Sequence, residues 1–395
     1  MLTSILTRKR VKNYCLLLIC INSLMIGLSF ARNRGLTLSG APFAGDFIEF
    51  YNSGRILNTY GADRLYDFQL QEKLTQEFLP GFSVPFVTPP YVAILFSPLA
   101  HLPLWFAYLI WILISIALYL AAVSLVLRLE LLPRRMTILI SLAFPPFLML
   151  TIAGGQISAI GCFIFASWLY LLKTERKFLA GAVLGLLLYK PTLSVFVVPA
   201  LLFGRQVRVL MGFATVSILL GFVGIWMLGI TGSIHYLAVL REFSSLVGSG
   251  FTRAAMHVDL TSFVRRLVHV DIKYFSILFG LLLTFLIRRT PERAMALTLV
   301  FNSYGPVYDL ILLVPLLIVA YSTLSREMLV TLFVGSFLTV PICQLTGIQI
   351  ITPILVFLCY VLCIKPMVQS GSGSFTLDAQ ENVPHDHGQL LTTYQ

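Results

Sequence analysis

Charge is scarce in this chain. Of 395 residues only 11% are Asp, Glu, Lys or Arg, and the acids number 17, where a soluble domain carries about a quarter charged residues. With 58% hydrophobic residues, the apolar surface exceeds what one globular core can hide. A cytosolic enzyme, a secreted protein and a disordered chain are thereby excluded, and a polytopic membrane protein is left. The six cysteines (Cys15, Cys20, Cys162, Cys343, Cys359 and Cys363) all fall inside apolar runs. That placement speaks against a disulfide framework or a zinc site and fits small buried apolar side chains. There is no DxD pair, no nucleotide-fold motif, no internal repeat and no long basic arm. No metal or other cofactor is therefore expected, and no nucleic-acid partner. The formal charge of +11 reads instead as a topology signal.

Basic residues mark one side of the membrane. Arg8, Lys9, Arg10 and Lys12 precede the first apolar run, roughly Tyr14 to Ala31, and place a basic N-terminus, residues 1–13, in the cytoplasm. The run is long for a signal-peptide core and reads as an uncleaved first helix; cleavage after the small residues Ser29 and Ala31 is the alternative. Long apolar segments then alternate with short basic turns holding Arg128/Arg134/Arg135, Lys173/Arg176/Lys177, Arg205/Arg208, Arg288/Arg289/Arg293, Arg326 and Lys365. If each turn is cytoplasmic, two crossings lie between consecutive turns. The expectation is an all-α polytopic membrane protein with about twelve transmembrane helices across residues 14–368. Both termini are expected in the cytoplasm and the chain in the cell membrane (for a bacterial protein, the inner or plasma membrane). A polar Gly/Ser-rich tail, 369–395, is expected to be disordered, with His385 and His387 solvated.

Several hairpins are short. Phe178 to Gly204 is basic at both ends, so it must go out and return, with about thirteen residues per arm where about twenty normally span. Met136 to Leu172 turns at Gly154-Gly155-Gln156, and Ala294 to Ser325 turns around Gly305-Pro306. Their outer turns must stop below the outer lipid surface, where irregular backbone survives only against protein or a water-filled cavity. A cavity opening to the extracytoplasmic side follows.

Two outer loops are large, 32–90 and 231–273. In the first, Asp46, Glu49, Phe50 and Ser53 share one helical face at i, i+3, i+4 and i+7. Asp46 reads either as a helix cap, with Glu49 completing a capping-box-like pair, or as a catalytic carboxylate just above the membrane. Leu70, Leu74 and Phe78 form the apolar stripe of an interfacial helix. Pro89-Pro90 and Pro98 to Pro103 bracket a short helix leading into the second span. The second loop carries His235, Arg241, Arg253, His257, Arg265, Arg266, His269 and Lys273 against Glu242, Asp259 and Asp271. This inverts the usual charge bias and suits a phosphate or pyrophosphate ligand; contact with anionic lipid head groups or a solvated face is the alternative. Lys190 and Asp309 stand in otherwise apolar hairpins. Intramembrane charges mark by default a site lining an aqueous pocket, or else a structural Lys–Asp pair. Gln156 is a weaker polar candidate.

The order of motifs carries a resemblance. Asp46 to Arg55 reads Asp-Phe…Phe-Tyr-x-x-Gly-Arg, followed by Leu65-Tyr66-Asp67 and the Pro89 to Trp111 stretch; Gly154-Gly155-Gln156, Tyr189-Lys190-Pro191 and Tyr308-Asp309 come after. Over residues 10 to 365 this resembles glycosyltransferase family 87, polyprenyl-phosphate-sugar-dependent transferases of the GT-C superfamily. The resemblance implies a GT-C fold and inverting transfer, outside the cytoplasmic membrane, of a hexose (mannose in the best-known members) from a polyprenyl-phosphate donor to a lipid or glycan hydroxyl. It also implies an acidic general base in the first outer loop, which maps to Asp46. The family usually has an aromatic or apolar residue where Glu49 stands. The stretch MHVDLTSFVRRL follows the second-loop pattern loosely, with His257 and Arg265 as candidates.

The chemistry is consistent with the residues themselves. A sugar phosphate ester is already activated, because phosphate leaves as a stable anion. The protein must orient an acceptor hydroxyl, take its proton and stabilise the departing phosphate. Asp46 is assigned as base and Lys190 as phosphate partner. Glu49, Arg55, Tyr66, Gln156, His257, Arg265 and Asp309 are assigned to substrate binding. The alternatives are a transporter or flippase of a lipid-linked sugar, a non-catalytic membrane scaffold, and a ligase or polymerase using pyrophosphate-linked glycans.

Overall fold

The computed structural model describes residues 7–32, 44–248 and 256–364, and over these it is helical, with one isolated bridge between His257 and Pro306. The tail readings and Arg253 lie outside the described residues. Helix α1 (Arg8–Arg32) begins in the basic cluster and runs through the first apolar segment. The first outer loop then folds into helices. α2 (Gly45–Thr59) starts after Ala44 in the left-handed region. α3 (Phe68–Gln76) is capped by Asp67, whose carboxylate accepts from Leu70 N at 3.0 Å. α4 (Pro90–Phe96) opens on a proline, which costs nothing where the N–H has no helical partner. α5 (Leu104–Val126) is the span that follows.

Hairpins make up the rest. α6 (Arg134–Leu142) bends by 53° into a π-type segment, Pro146–Ile152, and α7 (Ser158–Lys173) returns from it. α8 (Lys177–Gly185) continues as a tight turn to Tyr189, and the chain returns through Pro191–Ser194 and α9 (Val197–Phe203). α10 (Val207–Gly248) is followed by α11 (Leu260–Val268) and α12 (Lys273–Leu286). α13 (Ala294–Phe301) rises to an apex, Val307–Leu312 and α14 (Leu313–Val319) descend, and α15 (Arg326–Thr346) and α16 (Ile351–Ile364) close the fold.

Among the described residues, four helical stretches are long and apolar enough to cross a membrane: Arg8–Leu28, Leu104–Val126, Val207–Phe243 and Arg326–Cys343. The bent α6 pair would be a fifth. Fewer helices pass singly than the basic turns imply, because the arms of the short hairpins are too short. Lys177–Tyr189 reaches only about 20 Å at 1.5 Å per residue, against a hydrocarbon core of about 30 Å. Large apolar side chains stay uncovered on the outside of the bundle, Trp226 at 81% exposure among them, as lipid-facing surface should.

Part of the second large loop is helical. Residues 231–248, the start of the expected second outer loop, are helical and follow the Val207–Leu228 stretch across a kink at Gly229 (φ 66°). From Val207 to Leu228 the helix covers about 33 Å, enough for the core. α8 and α10 meet backbone to backbone: a Cβ on Gly181 would lie 1.8 Å from Val209 O, and one on Gly212 2.0 Å from Phe178 O. Small residues permit such close pairing of membrane helices.

Candidate active site

Three hairpin apices meet at one end of the bundle. Lys190 sits at the break between the two arms of its hairpin, out of helical conformation (φ −141°, ψ 84°) and before Pro191, which cannot continue a helix. Its Nζ donates to Asp309 Oδ2 at 2.5 Å. Asp309 lies in the turn Val307–Leu312 after Pro306, and its Oδ1 accepts from Ser158 Oγ at 2.9 Å. Ser158 opens α7, directly beyond the Gly154-Gly155-Gln156 turn. A single chain, Ser158–Asp309–Lys190, therefore stitches the tips of three hairpins together. Asn302 Nδ2 adds a bond to Thr192 O at 3.1 Å.

Aromatic rings surround the ammonium. Lys190 Nζ lies 4.8 Å from the Tyr308 ring centroid and 5.7 Å from that of Tyr304, within cation–π range. The His257 ring packs edge-on against Tyr304 at 4.9 Å. Asp259 caps α11 through Ser262 N and Oγ and also accepts from Gly305 N at 3.2 Å. It thereby pins the second outer loop to the third apex.

The acidic residues of the first loop face this cluster. Ala44 is the N-cap of α2, so Asp46 lies inside the first turn, where the helix dipole favours a negative charge. The capping-box reading of Asp46 and Glu49 is corrected: the chain enters the helix through a left-handed residue instead. The start of α2 is set against the first apex by Ala44 N donating to Ala153 O at 2.9 Å. Tyr108 OH, on α5, donates to Ile152 O at 2.6 Å, and Trp111 Nε1 to Gly155 O at 3.0 Å. Gly155 has φ +74°, and a Cβ there would sit 2.5 Å from Phe47 Cβ; one on Gly154 would sit 3.2 Å from Asp46 Oδ2. The two glycines let the apex approach the carboxylate.

Asp46 is close enough to act electrostatically on Tyr108, Tyr304 and Tyr308 as well as on Glu49. Burial pushes the Glu49 carboxyl well above the usual carboxylate range, the Asp46 charge pushes it further, and Lys190 opposes both. Asp46 and Glu49 each keep some accessible surface between the buried Phe47, Ile48 and Phe50.

Asp46, Glu49, Lys190 and Asp309 are thus brought together, with Gln156 buried in the first apex and His257 reached through Tyr304. Three candidates are not. Arg55 pairs with Glu77 at 2.9 Å and lies over Phe78, inside the first loop. Tyr66 donates to Thr88 O at 2.9 Å and stacks on Tyr236 at 4.6 Å, tying that loop to α10. Arg265 pairs with Asp271 at 2.5 Å on the exposed flank of α11. Ser158 and Tyr304 were not singled out from sequence. Their signals were weak: a serine just after the Gly-Gly-Gln turn, and a tyrosine in the Asn-Ser-Tyr-Gly-Pro apex. Among the described residues no three His, Cys, Asp or Glu side chains gather as a metal site.

A bundle of apolar helices with charged groups gathered at its hairpin tips fits a membrane enzyme. The family model for glycosyltransferase family 87 matches residues 86–341, more than half of the chain, and the chain belongs to that family: it is a membrane glycosyltransferase. The match takes in Gln156, Lys190, His257, Arg265 and Asp309 and begins after Asp46, Glu49, Arg55 and Tyr66. No curated protein and no solved structure matches the chain.

Proposed function

We propose that the protein transfers a hexose, with mannose the first candidate, from a polyprenyl-phosphate donor to a lipid or glycan hydroxyl on the extracytoplasmic side. In this reading the basic turns are cytoplasmic, both termini lie inside, and about twelve crossings include the short hairpin arms. The hairpin tips form the floor of the site, and α2 lies over them. Asp46 takes the proton of the acceptor hydroxyl. The acceptor oxygen forms its bond to the sugar C1 from the face opposite the phosphate. The C1–O bond to phosphate breaks, and polyprenyl phosphate leaves with the electron pair, so the anomeric configuration inverts.

Lys190 is the group for the departing phosphate. An ammonium has three donors; one is committed to Asp309, which fixes its direction, and the others remain for phosphate oxygens. The pair is neutral overall, so its value lies in orientation more than in net charge. Glu49, whose carboxyl is raised by burial and by Asp46, donates a hydrogen bond to a sugar or acceptor hydroxyl whenever it holds its proton. Gln156 and His257 line the site, and Arg55, Tyr66 and Arg265 support its walls or bind outlying parts of the substrates.

The observation that carries this reading is the approach of Asp46 and Glu49, from a loop outside the family match, to the Lys190–Asp309 pair inside it. The test is purified full-length protein incubated with polyprenyl-phosphate mannose, glucose or arabinose and membrane lipid extract, followed by mass spectrometry. A lipid or glycan gaining one hexose mass from a single donor supports the reading. Transfer only from nucleotide sugars, or movement of donor across a proteoliposome membrane without covalent product, would overturn it.

A further inference from the structure

The same hairpins have a second feature at their other end. A cavity of about 570 Å3 opens among the basic turns there, within the size range of small-molecule sites. Lys173 and Lys177 enter from the turn between α7 and α8, and Arg289 and Arg293 from the turn between α12 and α13. Arg293 is only 4% exposed, and its Nη1 donates to Leu362 O, so a guanidinium is fixed in the wall. Two acids share the lining with these four cations, and a third, Glu130, acts on Lys173 from outside it. Glu175 is already paired with Lys177 at 2.8 Å, and Glu292 is buried. Among the described residues Lys173 and Arg289 enter no salt bridge, and both side chains are exposed.

The rim of the cavity also carries bare apolar side chains. Leu286 and Ile364 are 59% and 60% exposed there, at the ends of helices α12 and α16. A recess with a buried guanidinium in its wall, exposed cations at its edge and bare aliphatic side chains beside them matches an amphiphile with an anionic head. Guanidinium and ammonium groups recognise phosphate oxygens, and basic recesses between membrane helices favour anionic headgroups. A free phosphate satisfies the cations and leaves the rim uncovered.

We propose that this cavity binds the phosphate headgroup of an anionic membrane phospholipid, with an acyl chain lying along Leu286 and Ile364. The site is separate from the carboxylate cluster, and the inference does not depend on which sugar is transferred. A bound headgroup joins the α7–α8 turn to the α12–α13 turn, at the base of the hairpins whose tips carry Ser158 and Lys190.

The test uses the full chain in nanodiscs containing phosphatidylglycerol and phosphatidylcholine in equal amounts, with native mass spectrometry after release into detergent. Wild-type protein is expected to retain phosphatidylglycerol over phosphatidylcholine by on the order of tenfold. The Lys173→Ala/Arg289→Ala double variant is expected to lose the preference, and the charge-keeping Lys173→Arg/Arg289→Lys variant to keep it. Millimolar inorganic phosphate is expected to leave the retained lipid in place. Equal retention of both lipids by wild type, an undiminished preference in the double alanine variant, or displacement of the lipid by inorganic phosphate would each overturn the proposal.

Discussion

Removing either partner of the Lys190–Asp309 pair strands the other, since the two side chains are only 15% and 2% exposed. Breaking a buried pair from one side costs about 3–5 kcal/mol, whereas replacing both partners by apolar groups costs far less. Asp309→Asn is therefore expected to lower the thermal midpoint in detergent sharply. The Lys190→Met/Asp309→Leu double variant should be more stable than Asp309→Asn and still fail to transfer sugar. A double variant no more stable than the single would mean that the pair is not coupled. Glu49 calls for a different experiment. Its carboxyl is raised in the folded protein, first by burial and then by Asp46, so the folded state holds its proton to higher pH than the unfolded chain does. The resulting stability is fully present below the ordinary carboxylate value and is lost as pH rises towards the raised one. As pH rises above the ordinary carboxylate range the wild-type midpoint is expected to fall more steeply than that of Glu49→Gln; parallel curves would contradict a raised Glu49. Glu49→Gln keeps a donor in place and should retain more transfer activity than Glu49→Ala.

At the scale of elements, the decisive contact is the first hairpin apex against the start of α2. Gly155→Ala must place a methyl group 2.5 Å from Phe47 Cβ at φ +74°, so it is expected to lower stability by more than about 1 kcal/mol and to loosen α2. Gly154→Ala meets only the Asp46 carboxylate, at 3.2 Å. It should leave the thermal midpoint near wild type while reducing kcat, a split readable from unfolding and kinetics on the same preparation. Much at this scale was legible in the chain. The proline-bracketed α4, the turn at Gly154-Gly155-Gln156 and the shallow hairpin with Lys190 at its tip follow from local signals of composition and turn chemistry. That Lys190 and Asp309 pair was legible as one alternative, since opposite charges in apolar hairpins seek each other; that the Ser158 tip joins them was not, because no local rule ranks pairings over such distances in sequence. The cap of α2 escaped for a related reason: Asp46 is a good cap by residue type, yet with Ala44 N bonded to Ala153 O the helix starts two residues earlier.

For the whole molecule, orientation is the open variable with a direct readout. With the basic turns inside, a cysteine placed at the exposed Glu72 of α3 should react with a membrane-impermeant maleimide in intact cells, and one at Arg289 only after permeabilisation. The reverse pattern would put the carboxylate cluster on the cytoplasmic side and end the extracytoplasmic reading. The fold alone makes the protein a scaffold for its hairpin tips; the chemistry depends on whether the acid presented by α2 removes a proton. The most direct measurement is the rate of hexose transfer by wild type and Asp46→Asn, at matched amounts in the membrane, from the polyprenyl-phosphate sugar that the wild type uses. The expected result is a loss of at least about 100-fold for Asp46→Asn with donor binding retained; transfer at the wild-type rate would contradict Asp46 as the proton acceptor.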